Sequence, residues 1–309
     1  MNAVLLVALP VFSVILIGVL AGRKNVLKDS DTKSLNVFVF NFAMPAALFS
    51  LTARAEPFSL EQLKLAASYG VAGTTTILTA YFLSQRLFRL TKKEAGAHAF
   101  ASTLGNAVFL GLPIALSIPG WANNFVVLML VEGVLIITIA AILMGGSSDN
   151  KFSALLLRPV KNPLVAAMLI GLLTSFINHV ANISPPAAFM KVFEILGAAA
   201  GPTALFSLGL FLSNTNLVPA RDVTGKIASI FAMKLIALPI FTLGLLNLLN
   251  VSAQTIVGPA ALFTLVPTGV GAFIMASHYG NYQSESASAI AVTTLFSVIT
   301  VSATLAIFA

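Results

Sequence analysis

The chain has 309 residues, 58% hydrophobic and 9% charged, with a mean hydropathy of +0.98. Soluble domains carry about 25% charged residues, so a water-soluble fold is excluded. A net charge of +7 would point to nucleic acid in a soluble protein, but in so apolar a chain it is explained by basic loops on one face of a membrane.

A bilayer crossing takes about 20 apolar residues. On that measure the chain divides into ten predicted transmembrane helices, at 3–21, 33–53, 62–88, 95–117, 123–145, 162–181, 187–213, 224–249, 254–277 and 284–308. The first stretch has no charged leader and no small-residue cleavage site, so it is read as a retained span. One set of connectors holds Arg23, Lys24, Lys28, Lys33, Arg86, Arg89, Lys92, Lys93, Lys151, Arg158, Lys161, Arg221 and Lys226. The alternate set holds only Arg54, Lys64 and Lys191. Basic residues are retained in the cytoplasm, which predicts a multi-pass protein of the cell (cytoplasmic) membrane with both termini on the extracytoplasmic side. Cysteine is absent and His98, His179 and His278 are scattered, so no metal site or cofactor is expected.

The halves of the chain resemble one another. Pro45 to Leu51 reads PAALFSL, and Pro202 to Leu208, 157 residues later, reads PTALFSL. Pro10 and Pro163, and Pro113 and Pro267, fall at nearly the same offset. Residues 1–145 and 162–309 are therefore read as two five-helix repeats, joined by a cytoplasmic linker at 146–161 that includes most of the GGSSDN stretch. An odd number of crossings per repeat inverts the second copy, as in many secondary transporters.

The fourth span, Ser102 to Pro113, and the ninth, Thr264 to Gly271, both place glycine, proline and polar residues inside a hydrophobic run. Proline lacks the backbone donor and clashes with the carbonyl four residues earlier. A single case reads as a kink. A matched pair, with Asn106 and Thr268 alongside, points to two broken helices and a binding site at mid-membrane.

The segments Gly105 to Pro113, Asn41 to Pro45, Pro10 to Arg23 and Val266 to Gly271 resemble the auxin efflux carrier family. That family contains plant PIN-formed carriers and bacterial malate or malonate permeases, and it shares its fold with bile acid:sodium symporters. The short chain lacks the long central hydrophilic loop of many plant members and is closer to the bacterial type. The resemblance implies an all-α membrane protein with two inverted five-helix repeats and crossed broken helices 4 and 9, at Pro113 and Pro267. It also implies a scaffold of helices 1, 2, 6 and 7, a mobile transport domain of helices 3, 4, 5, 8, 9 and 10, elevator motion, and a homodimer. It places Asn106 against the substrate.

Two ionisable residues fall deep in predicted spans, Glu132 in the fifth and Lys234 in the eighth. A charge at that depth costs at least about 2.5–3.5 kcal/mol, so such residues pair or line a polar path. Either the two form a buried ion pair, or Lys234 holds a substrate carboxylate and Glu132 takes a coupling proton. His98 and Glu194 read as interfacial from their place near span ends, and Trp121, Asn123 and Asn124 as an outer interface. Asn41 fits helix–helix glue and cavity lining equally.

The function expected is secondary active transport of a small organic anion, a carboxylate such as malate or malonate, coupled to protons or sodium. The predicted substrate site is Asn106, Gly111, Pro113, Pro267, Thr268, Gly269 and Lys234, with Glu132 the ion-coupling candidate and no catalytic residues. A passive anion channel and an intramembrane enzyme are the alternatives. The enzyme lacks a catalytic set, since Asp29, Asp31, Asp149 and Asp222 all fall in connectors, and no phosphate-binding loop is present for nucleotide-driven pumping.

Overall fold

The computed structural model describes residues 9–144, 162–213 and 223–309. The predicted linker at 146–161 and the basic residue Arg221 lie outside the described residues. The described residues form α1 (Leu9–Arg23), α2 (Ser30–Thr52), α3 (Leu60–Phe88), α4 (Lys92–Ala101), α5 (Ala107–Leu116), α6 (Trp121–Leu143), α7 (Pro163–Ala181), α8 (Ala187–Ser213), α9 (Thr224–Leu248), α10 (Gln254–Leu265), α11 (Gly271–His278) and α12 (Gln283–Phe308). Among them the protein is all-helical, with no strand longer than a single bridge.

Six of these helices, α2, α6, α7, α8, α9 and α12, are each long and apolar enough to cross a membrane. The others fall short for separate reasons. The described part of α1 has 15 residues. The 29-residue α3 is diluted by Ser68, Tyr69 and the run Thr74 to Thr76. The fourth and ninth predicted spans are each interrupted, into α4 and α5 and into α10 and α11.

The helices pack in two groups. In the first, α1 lies along α8, and α2 lies against α7 and α8. The contact between α1 and α8 is a close backbone crossing at Gly18 and Gly209, where a Cβ on either glycine would overlap a carbonyl oxygen of the other helix. Such approach through small residues is how helices associate where lipid removes the hydrophobic drive. At its C-terminal end α2 is tied to α8 by an ion pair of Arg54 with Glu194, joined by Lys191 at 3.2 Å. Ile17, Phe176, Val180 and Ile195 face outward from this group, 57–68% exposed, as expected of a surface against acyl chains.

The second group packs α3 against α4, α6 and α9, and α10 against α6, α9 and α12. It meets the first group along α8 and α5, where Gly201 faces Pro113, and at Gly133, where a Cβ would come within 2.7 Å of Val165. A cavity of about 60 Å³ lies on this boundary, lined by Thr52, Glu56, Gln62, Asn123, Leu130 and Leu172 among others.

Four helices widen for one turn into π-helix, at Val39–Ala43, Ala107–Gly111, Glu132–Ile136 and Met233–Ala237. Three of the turns end two residues before a proline: Pro45, Pro113 and Pro239. The proline ring has no N–H to give and pushes away the carbonyl four residues back, so the preceding turn opens. The four polar residues singled out inside spans, Asn41, Asn106, Glu132 and Lys234, each lie in one of these turns or cap it. Asn41 is exposed and its side-chain amide donates to the Val37 carbonyl at 3.0 Å.

Candidate functional site

The first interruption spans residues 102–106. Here α4 ends, and Ser102 and Thr103 turn their hydroxyls back onto the carbonyls of His98 and Ala99, at 2.8 and 3.0 Å. The second spans residues 266–270, where Val266 is extended at the end of α10 and Pro267 follows. The two meet in an antiparallel bridge of Gly105 with Thr268. Asn106 N–H donates to the Pro267 carbonyl at 2.8 Å, and Gly269 N–H to the Leu104 carbonyl at 3.1 Å. A Cβ on Gly269 would stand 2.5 Å from the Gly105 oxygen, so the crossing is as close as two backbones allow.

In a bilayer each backbone group freed by a break must find a partner inside the protein. Thr268 Oγ1 donates to the Ala101 carbonyl at 3.0 Å, and Thr300 Oγ1 to the Leu265 carbonyl at 2.8 Å. Thr268 N–H donates to Thr293 Oγ1 at 3.1 Å. The remaining partners are charged. Glu132 Oε1 accepts from Gly105 N–H at 3.0 Å and from the Tyr69 hydroxyl at 2.9 Å. Lys234 Nζ donates to the Thr264 carbonyl at 2.6 Å. Glu132 is 5% exposed and Lys234 0%. The described ion pairs do not join them. Gly105 stands between: its amide faces Glu132, and a Cβ on it would lie 3.6 Å from Lys234 Nζ.

Past the bridge the chain enters α5 with Asn106 as its cap. Asn106 Oδ1 accepts from Phe109 N–H at 3.3 Å, and the Asn106 carbonyl accepts from both Leu110 and Gly111 N–H, at 3.1 and 3.0 Å. Its Nδ2 is buried without an acceptor, in a residue 2% exposed. Beside it the amides of Ala107 and Val108 open the helix, where no intrahelical acceptor exists. This corner thus sets an unpaired side-chain donor at the positive end of a ten-residue helix.

The other residues expected at the site are distributed around this point. Pro267, Thr268 and Gly269 form the second interruption itself. Pro113 lies beyond the break, inside α5, and packs toward Gly201 of α8. Gly111 is buried, and a Cβ there would overlap the Phe125 ring. Three positions are more buried than their place in the sequence implies. Trp121 is 2% exposed and lies over Gly258, not in an interfacial belt. Asn124 is 7% exposed and donates to the Thr255 carbonyl at 2.6 Å, the carbonyl freed because Pro259 four residues on has no N–H. His98 is 0% exposed, with Nδ1 2.8 Å from the Tyr282 hydroxyl and Nε2 3.3 Å from Ser229 Oγ. Of the sequence-derived set, Tyr69 is the residue that was missed. A tyrosine mid-span on α3 gave no sign of the carboxylate it serves.

Apolar helices that each span a bilayer, and a polar crossing sealed between two interrupted helices, define a multi-pass membrane transporter. It belongs to the membrane transport protein family, the auxin efflux carrier family, whose pattern matches residues 3–305. It is 28% identical over 306 residues to a Rhizobium meliloti (strain 1021) protein named "Putative malonate transporter", covering 95% of this chain and 92% of the relative. An uncharacterized transporter of Methanocaldococcus jannaschii is 27% identical over 303 residues, 96% of each chain. The uncharacterized transporter YfdV of Escherichia coli (strain K12) is 25% identical over 307 residues, 94% of this chain and 93% of the relative. The family and these names describe a transporter and not an enzyme.

Proposed function

We propose that the protein is a secondary active carrier of a small organic anion of the carboxylate class, such as malonate or malate. The anion binds beside the crossover, with one carboxylate at the N-terminus of α5. The observation that carries this reading is Asn106 Nδ2, a buried donor with no acceptor, next to the first amides of α5, which have no acceptor within their own helix. A buried donor left unpaired costs about 1–3 kcal/mol, and a carboxylate oxygen supplies the missing partner where the helix dipole favours negative charge. Thr268, Gly269 and Pro267 shape the opposite wall. The name of the Rhizobium relative supports malonate as the first compound to try.

In this reading ten crossings form two inverted repeats, and both termini face outside the cytoplasmic membrane. The pairing of α1 with α8 and α2 with α7 supports the symmetry, since exchanging the repeats converts one pair into the other. The first helix group is the scaffold, its outward apolar faces meeting lipid or a second copy. The second group is the transport domain, which slides along it in an elevator cycle driven by a proton or sodium gradient. Burial of Asn106, Thr268, Glu132 and Lys234 at 0–5% exposure favours alternating closure over a passive anion channel. In proteoliposomes the reading predicts saturable malonate or malate counterflow without conductance, and imposing each ion gradient in turn identifies the driving ion. Unitary anion currents overturn it.

A further inference from the structure

We propose that Glu132 and Lys234 are positioning residues that pin Asn106 from two sides, and that neither touches the transported anion. This deepens the crossover reading given above. Glu132 holds the amide of Gly105, the residue immediately before Asn106. Lys234 holds the carbonyl of Thr264, three residues before Pro267, and the Pro267 carbonyl in turn receives the Asn106 amide. A carboxylate suits a freed N–H, and an ammonium suits a freed carbonyl at the negative C-terminal end of α10. Each charge therefore has a backbone partner at one of the two breaks. Glu132 Oε1 already accepts two hydrogen bonds, and Lys234 is fully buried behind Gly105. Tyr69 completes the brace by fixing the carboxylate from α3, with its ring edge-on to Phe263 at 5.0 Å between centroids. Three helices outside the interrupted pair, α3, α6 and α9, thus set where the anion-binding corner stands.

The test needs no knowledge of the substrate in its first arm. Hydrogen exchange of the purified protein is followed in the peptide covering residues 102–110. Glu132→Gln removes the charge but keeps an acceptor for Gly105, and is the reference for Glu132→Leu, which removes the same charge. Glu132→Leu removes the acceptor and is expected to raise exchange in that peptide at least tenfold above Glu132→Gln, with no comparable difference between the two variants in peptides of α1 and α8. Equal exchange in the two variants overturns the pinning, as does a difference between them that is no larger at residues 102–110 than in α1 and α8. Should Glu132→Leu fail to fold, Tyr69→Phe gives the same comparison with a smaller expected rise, and no rise there overturns the brace. The second arm measures malonate counterflow in Glu132→Gln/Lys234→Gln, in which both charges are removed together while a side-chain acceptor and a side-chain donor are kept. A KM within about twofold of native with a lowered kcat is expected of positioning residues. A KM raised tenfold or more shows that one of the two contacts the anion and overturns the proposal. Absence of malonate counterflow in the native protein counts against the carboxylate assignment alone, and the exchange arm still decides the pinning.

Discussion

The two interruptions meet the same problem with opposite chemistry. At the first, the group left over is an amide, that of Gly105, and a carboxylate takes it. At the second it is a carbonyl, that of Thr264, and an ammonium takes it. Their prolines differ as well. Pro267 stands in the second break, whereas Pro113 stands seven residues beyond Asn106 and widens the turn between them into π-helix. The first break therefore ends in a cap with a spare buried donor, and the second in a closed backbone loop. Broken helices of similar composition need not share a role: in the function proposed above, the first presents the binding corner and the second walls it in.

The largest effects are expected where one charge is stranded. Lys234→Met alone leaves Glu132 buried without its counter-charge, and Glu132→Leu alone does the same to Lys234. Each is expected to cost about 3–5 kcal/mol in unfolding measurements. Removing both charges should cost clearly less than the sum. An additive double variant would show that the two breaks are braced independently.

The glycines of the bridge come next. Gly269→Ala sets a Cβ against the Gly105 carbonyl at 2.5 Å, which something must relieve by shifting. Gly105→Ala meets Val266 and the Phe263 carbonyl at 3.1 and 3.2 Å. Both are expected to lose stability, by about 1–3 kcal/mol, with Gly269→Ala the worse in thermal unfolding. The reverse order would mean that the crossing is not limited at Gly269.

The all-helical class and the family were legible in the sequence, because apolar length and the Gly105 to Pro113 segment are local signals. The second break was legible too, since Pro-Thr-Gly-Val-Gly cannot continue a helix. The first was placed at Pro113 and lies instead at 102–106, where the signal is a pair of hydroxyl residues and a glycine. Proline inside a helix opens the turn before it and leaves the helix running. The same effect at Pro45 and Pro239 shows that the rule can be read from sequence. Trp121, Asn124 and His98 were expected at an interface because they sit near span ends. Their burial depends on partners 131–184 residues away in the case of Asn124 and His98, and on Gly258 for Trp121, so no local pattern reports it. Nor could depth alone decide between pairing and backbone capping for Glu132 and Lys234.

The smallest expected effect lies at the start of α4, on the entry side of the first break. Thr91 and Glu94 form a capping box, with Thr91 N–H and hydroxyl donating to Glu94 at 2.9 and 2.7 Å. Thr91→Ala is expected to cost about 1 kcal/mol. The hydroxyl and amide of Thr91 hold the Glu94 carboxyl below its ordinary value. Its contribution is thus complete above the unfolded-state pKa and fades as pH falls through the lower folded-state value. Unfolding midpoints of native and Thr91→Ala protein should converge at acid pH. A gap constant with pH would contradict that assignment.

Asn106 carries the central claim, and Asn106→Asp isolates it. Aspartate keeps an oxygen for Phe109 N–H, so the cap of α5 survives, but it replaces the unpaired donor with a negative charge. The most direct measurement is thermal unfolding of native and Asn106→Asp protein across a malonate titration, since a ligand that binds only the folded state raises its apparent stability. The account predicts that the native midpoint climbs with malonate while that of the variant, whatever its value without ligand, does not respond. A variant that climbs in parallel with the native protein would place the anion somewhere other than the crossover.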